Sequence, residues 1–226
     1  MKFLVSLSIS ILLISCSNEK KQESPDDEQP IPQGITVADD GSHPTQVFFG
    51  DTHLHTALSM DAGAFGNRLG MDEAYQFARG DEITSTTGIK TKLSKPLDFL
   101  VVADHSDGMG FFPDLMEEKE HVMKYEESKA WKKMIDEGKG GEAALDIIKK
   151  FSQGEFPFKT NDVSMMTPVW KEVVAAAEKY NDPGKFTAFI GYEWTSLIKG
   201  NNLHRVVIYR DSGEKAINQL PFTNED

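Results

Sequence analysis

Four short apolar runs recur along the chain, and potential metal ligands adjoin each of them. Val47-Phe-Phe-Gly50 leads into Asp51, His53 and His55, and Asp98-Phe-Leu-Val-Val-Ala103 leads into Asp104-His105. Phe186-Thr-Ala-Phe-Ile-Gly191 leads into Tyr192-Glu193-Trp194, while Val206-Val-Ile-Tyr209 closely follows His204. Runs of this length, rich in β-branched and aromatic residues, predict strands. Alternate residues of a strand point to one side, so Asp51, His53 and His55 are expected on a common face.

Helical patterns fill the intervals. Met71 to Arg79 predicts a short helix stopped by Gly80, and the polar stretch Glu82 to Lys95 an exposed loop or hairpin. After His105 comes a long, mostly helical excursion, about residues 106–185, with helices expected over 114–127, 129–137, 142–151 and 168–180. In the last of these, Thr167 is placed as N-cap, Pro168 at the first helical position, and Trp170, Val173, Val174 and Ala177 on one face. The fold class predicted is α/β, with about four core parallel strands, a helical insertion, and functional groups collected at the carboxyl ends of the strands. A closed barrel would need nearly twice as many strands. The final residues, Pro221 to Asp226, look like the cap of an uncompleted helix, so the sequence is read as an N-terminal part of a longer protein.

The ends and the composition add a second layer. Met1-Lys2, an apolar stretch from Phe3 to Ile14 and then Leu13-Ile-Ser-Cys16 have the layout of a secretory signal peptide, with an apolar core too short to span a bilayer. The last four of these residues resemble a bacterial lipobox, which implies cleavage before Cys16, lipidation of that cysteine, and an exported, membrane-anchored lipoprotein. With the only cysteine so used, no thiol remains for a disulfide or a Cys-type zinc site. Residues 17–45 carry two lysines against seven acids and no apolar period, which predicts a solvated acidic linker; His43 is an exposed residue within it. Residues 46–226 are long enough for one core. The formal net charge of −12 argues against a nucleic-acid partner. A small anionic substrate stays compatible with it, because bound cations would supply local positive charge.

Imidazole and carboxylate groups suit borderline metals such as zinc, manganese and iron, and parallel strands can gather them from distant stretches. A metal-dependent hydrolase is therefore expected. The chain offers neither a Gly-x-Ser-x-Gly elbow nor a phosphate-cradling glycine loop.

The ordered set His53-x-His55, Asp61 in Ser59-Met-Asp61, Ala103-Asp-His105, Gly191-Tyr-Glu193 and His204 resembles the motifs of the PHP (polymerase and histidinol phosphatase) superfamily. Within it, Phe-Gly-Asp-Thr-His-Leu-His, Gly-Tyr-Glu-Trp-Thr-Ser and Asn-Leu-His-Arg resemble a PHP-like family of exported bacterial proteins of uncharacterised function, domain of unknown function 3604. The resemblance covers residues 47 to about 222. It implies a distorted (β/α)7 barrel, present here in part, that holds two or three divalent metal ions (Zn, Mn or Fe). It implies His53, His55, Asp61, His105 and His204 as metal ligands and Glu193 as the carboxylate that bridges two metals. Asp51 and Asp104 are expected to orient imidazoles by accepting their other N–H. Glu193, Asp104 and Arg205 are the candidate catalytic residues, Arg205 as an oxyanion or phosphate contact, with a structural arginine as the other reading. Later ligands of the superfamily, another histidine and an Asp-x-His pair, have no counterpart in the sequence.

Hydrolysis of a phosphate ester by a metal-activated hydroxide is the first functional reading. An amidohydrolase-like C–N or C–O hydrolase is the enzyme alternative, and a non-catalytic, surface-tethered binding lipoprotein the other. His121, among Glu118, Lys119 and Glu120, is expected on a solvated helix face, and Tyr192 and Trp194 in the core.

Overall fold

The computed structural model describes residues 46–226. The expected signal sequence and acidic linker, with Cys16 and His43, lie outside the described residues.

Three parallel strands form the central sheet. β1 (Gly50–Leu54) pairs with β4 (Phe99–Val102), which pairs with β5 (Thr187–Phe189), in the order β1-β4-β5. Between β1 and β4 come the short helix α1 (Met60–Ala64), α2 (Met71–Ala78), and a small antiparallel hairpin of β2 (Ile83–Thr84) and β3 (Lys90–Thr91). Helix α2 matches its sequence pattern closely: the Glu73 carboxylate accepts the Gly70 N–H at 2.9 Å, and Gly80 follows at a φ of 87° that suits glycine. Leu100, Val101, Val102 and Ala103 are all buried, as expected of a central parallel strand covered on both faces.

The excursion after β4 consists of α3 (Phe111–Met116), α4 (Glu120–Met123), α5 (Glu126–Asp136), α6 (Gly140–Gln153) and α7 (Val163–Tyr180). The single helix expected over 114–127 is broken, with Glu118 at a φ of 55° between α3 and α4. Helix α7 starts five residues before its expected first position, Pro168. Asp162 is its N-cap, its side chain accepting the Ser164 N–H at 2.8 Å, while the Thr167 hydroxyl donates to the Val163 carbonyl at 2.7 Å. Pro168 therefore sits inside the helix.

These helices divide between two cores. Trp170, Val173, Val174 and Ala177 of α7 pack with Tyr75 of α2 against Leu100, Val102 and Ala188 of the sheet. Phe111, Phe112, Leu115, Trp131, Ala143 and Ile147 form a separate cluster, which also takes in Met60 and Ala64 of α1. So α3 to α6 form the insertion proper, and α7 is a cover of the sheet.

The fourth expected parallel strand has another orientation. After Ile190 the chain enters β6 (Gly191–Ser196), which forms an antiparallel hairpin with β7 (Leu203–Ile208) through a 3-10 turn at Ile198–Gly200. Helix α8 (Gly213–Ala216) follows, its last carbonyl accepting from the Trp170 indole at 3.0 Å. The architecture is mixed α/β, a three-stranded parallel sheet with helices and an antiparallel hairpin. Among the described residues no helix is long and apolar enough to cross a membrane.

Candidate metal centre

The parallel register places the ends of β1, β4 and β5 side by side, and backbone bonds continue it beyond the strands. The Ala103 N–H donates to the Leu54 carbonyl at 2.8 Å, the Glu193 N–H to the Asp104 carbonyl at 3.0 Å, and the Ser106 N–H to the Glu193 carbonyl at 2.9 Å. His55, His105 and Glu193 thereby meet, although the sequence separates them widely. The hairpin brings in the last member of the cluster: Thr195 pairs with His204 across β6 and β7.

Glu193 is the hub. It is fully buried, and its Oε2 lies 2.9 Å from His53 Nε2, 3.1 Å from His55 Nε2 and 3.1 Å from His105 Nδ1. Its Oε1 lies 2.6 Å from His204 Nδ1. These are ion-contact distances, yet none of the approaches has hydrogen-bond alignment, and both carboxylate oxygens are buried without a hydrogen-bond partner. Burying an unpaired carboxylate is costly. Four ring nitrogens aimed at such a group fit a shared cation better than a set of hydrogen bonds.

Asp61, in the first turn of α1, serves the other side. Its Oδ1 is 3.1 Å from His55 Nδ1, and its Oδ2 is 3.3 Å from His105 Nε2. Burial would raise the Asp61 carboxyl, but bonds from His105 and His55 outweigh it and hold the group well below the usual carboxylate range. Burial would lower His55; the bond to Asp61 and the charges of Asp61, Asp104 and Glu193 outweigh that and raise it. Three groups with one ligand atom per residue within 4.8 Å of each other could each hold a metal ion: His53, His55 and Glu193; His55, Asp61 and His105; His105, Glu193 and His204. The donor set of imidazole nitrogens and carboxylate oxygens suits zinc, manganese or iron.

The remaining sequence candidates sit elsewhere. The Asp51 carboxylate accepts the backbone N–H of His53 at 2.8 Å, so it braces the strand end instead of an imidazole. Asp104, also expected to orient an imidazole, is buried and accepts both the backbone N–H and, at 2.7 Å, the hydroxyl of Thr56; burial pushes its carboxyl up to about 6. Arg205 pairs with Trp194 on the hairpin, one step out of phase with Glu193 and His204, which places it on the opposite face; its guanidinium donates to the His204 carbonyl at 2.9 Å. It lines a separate cleft with Tyr192 and Trp194. His121 stands apart, 2.7 Å from Asp114. Tyr192 is buried, while Trp194 is partly buried against the core, its indole donating to the Thr223 carbonyl at 3.0 Å.

Two hydroxyls missed in the sequence do the orienting. Thr195 Oγ1 lies 2.7 Å from His105 Nδ1 and 3.0 Å from His204 Nδ1. Ser59 Oγ donates to Asp61 at 2.7 Å, accepts the His105 N–H at 3.1 Å, and is 3.0 Å from His55 Nδ1. Ser59 occupies the N-cap of α1 but makes no capping bond, because its hydroxyl is committed to the site. Asp107 contributes a further buried carboxylate: its Oδ1 accepts from the Thr160 hydroxyl at 3.0 Å and the Asn224 N–H at 3.1 Å, while its Oδ2 has no partner.

The sequence model of a family described as protein of unknown function (DUF3604) matches residues 42–226, and the chain belongs to that family. Comparison with curated proteins and with solved structures gave no match.

Proposed function

We propose that the protein is a divalent-metal-dependent hydrolase acting on phosphate esters, exported and anchored through lipidated Cys16, with its sheet forming part of a PHP-type (β/α)7 barrel. The observation that carries this reading is Glu193: a buried carboxylate with no hydrogen-bond partner, approached by nitrogens of four histidines.

His53 and His55 with Glu193, and His105 and His204 with Glu193, would hold two cations that share the one carboxylate, and Asp61 with His55 and His105 would hold a third. Cations held there supply Lewis-acid stabilisation of an anionic transition state and a water acidic enough to react at neutral pH. The chain's own part is positioning. Thr195 and Ser59 fix the imidazoles, and the buried carboxylate of Glu193 sets the spacing of the two halves of the site. A small anionic substrate would enter beside Asp61, His105 and His204, which line an open cleft. Phosphate esters are favoured over C–N or C–O substrates by the resemblance of the ligand order to phosphoesterases, an argument by analogy.

The test is metal analysis joined to a substrate panel. Chelator-treated protein is titrated with Mn²⁺ and Zn²⁺, and hydrolysis of phosphomonoesters, phosphodiesters, carboxylesters and amides is followed. Metal-dependent phosphoester hydrolysis that disappears in Glu193→Ala is the expected result. Protein that binds no divalent metal, or binds it equally after His53→Ala and Glu193→Ala, overturns the reading in favour of a non-catalytic tethered lipoprotein. Metal-dependent turnover of amides alone would assign it to amidohydrolase-like chemistry.

A further inference from the structure

The cleft beside the metal ligands has two chemically different walls. One is polar, formed by Asp61, His105, Asp107, Thr195, Asn202 and His204. The other is apolar: Met60 from α1, Ile148 and Phe151 from α6, and Leu197 from the turn after β6. The cleft measures about 160 Å³, close to the roughly 150 Å³ of an engineered apolar cavity that takes up benzene. A site that handled only a small hydrophilic ester would have no use for such a wall, since apolar lining favours displacement of water by an apolar group.

We propose that this cleft is a subsite for an apolar substituent of about the size of a benzene ring, carried by the substrate next to the group that engages the metal ligands, and that α6 of the insertion determines this specificity. The inference rests on the reading of the site as a metal-dependent hydrolase. Three separate elements supply the apolar wall, and two of them are adjacent to ligands or to the residues that orient them. Met60 immediately precedes Asp61, and Leu197 lies two residues beyond Thr195. Ligand positions and wall are therefore fixed relative to each other by short covalent spans, which is what a site needs to hold a reacting centre and its substituent in one orientation. Ile148 and Phe151 lie three apart on α6 and so share a face of that helix.

Paired probes separate the subsite from the identity of the reacting group. Calorimetric titration of the Mn²⁺-loaded full chain would compare phenylphosphonate with methylphosphonate, and benzohydroxamate with acetohydroxamate. The phenyl member of a pair is expected to bind more tightly by roughly tenfold to a hundredfold, as burial of a ring predicts. Phe151→Ala, which strips the wall, and Ile148→Phe, which fills the cleft, are both expected to reduce the phenyl-to-methyl ratio toward one, with Mn²⁺ content measured as the control for folding. If the phosphonates do not bind but benzohydroxamate outcompetes acetohydroxamate, the phosphoester reading fails and the subsite stands. If neither phenyl probe outbinds its methyl partner, or if the preference survives both substitutions in protein that still loads Mn²⁺, the subsite is overturned.

Discussion

Thr195 reaches His105 with its hydroxyl, Oγ1 to Nδ1 at 2.7 Å, and touches His204 Nδ1 at 3.0 Å with the same oxygen. A hydroxyl has one proton to give and two lone pairs, so this single oxygen can engage both imidazoles at once, accepting from both or donating to one and accepting from the other. One hydroxyl thus couples two histidines of the candidate site that stand 99 residues apart in the sequence. Removing it without changing side-chain volume is the sharpest test of that coupling. Thr195→Val is expected to weaken metal binding about 10- to 100-fold, the usual cost of losing a group that orients a ligand. Thr195→Ser should retain most of the affinity. Competition against a chromogenic chelator measures both, and equal affinities for the Val and Ser variants would remove Thr195 from the site's function.

The residues of the cluster were legible in the sequence because they are rare types beside apolar runs: His105 and Glu193 follow runs that the structure makes into β4 and β5, whereas β1 begins only at Gly50, the end of the run before His53 and His55, and leaves Val47, Phe48 and Phe49 exposed outside it. Thr195 and Ser59 were not legible, since hydroxyl residues are common and their role here is set by contacts across 90 and 46 residues. The positions of β4, β5 and β7 were legible as apolar runs, while β1 lies further along the chain than its apolar residues suggested. The direction of β7 was not legible, because an apolar run has the same period whether its partner is parallel or antiparallel. The two readings of Arg205, substrate contact or structural arginine, could not be separated for the same reason: only the register Trp194↔Arg205 reveals which face it takes. The start of α7 was missed because Pro168 after Thr167 imitates a helix entry, whereas Asp162 supplies the actual cap.

Metal stoichiometry should follow the sharing of ligands. His53, Asp61 and His204 each belong to one of the three groups, whereas Glu193 belongs to two. With full loading, His53→Ala, Asp61→Ala and His204→Ala are each expected to lower the bound metal by one equivalent, and Glu193→Ala by two. Elemental analysis after gel filtration gives the counts. Identical losses in all four variants would mean that the groups do not act as separate positions.

Without metal, Glu193 is a liability. A buried carboxylate lacking hydrogen-bond partners costs several kcal/mol if it stays charged, so Glu193→Gln in chelator-treated protein is expected to be as stable as the parent or more so. The order should reverse on adding Mn²⁺ or Zn²⁺, because ligand that binds only the folded state raises stability by mass action, about 2.7 kcal/mol at a hundredfold excess over Kd. Thermal melts of both proteins with and without metal decide it. A variant less stable than the parent in chelator would show that Glu193 is already satisfied within the apo fold.

Asp104 has a structural task that precedes any chemistry. It accepts the backbone N–H and the hydroxyl of Thr56, tying the segment after β1 to the end of β4 at the point where His55 and His105 emerge. Asp104→Ala leaves two buried donors without an acceptor, which predicts a loss of about 2–6 kcal/mol at 1–3 kcal/mol for each unsatisfied group. Asp104→Asn keeps one acceptor oxygen and should lose less. Urea unfolding monitors this directly, and an Ala variant within 0.5 kcal/mol of the parent, by the ordinary tolerance of exposed sites, would show that Thr56 finds another partner.

Trp131 links the insertion to the metal centre through packing. It is almost completely buried, its indole N–H donates to Asp146 at 2.7 Å, and its ring stacks on Phe156 at 5.7 Å and meets Phe111 edge-on at 6.0 Å. The same apolar cluster includes Met60 and Ala64 of α1, the helix that carries Asp61. Trp131→Ala should therefore cost about 3–5 kcal/mol, the range for deleting a large buried aromatic, and Trp131→Phe less. Because the cavity opens in the cluster that supports α1, metal held by the group containing Asp61 should weaken first, while the group of His53, His55 and Glu193, which rests on β1 and β6, keeps its affinity. Denaturant unfolding gives the first quantity and stepwise metal titration the second. A Trp131→Ala protein that loses stability but binds all its metal with parental affinity would show that α1 is held in place by the sheet and not by the insertion.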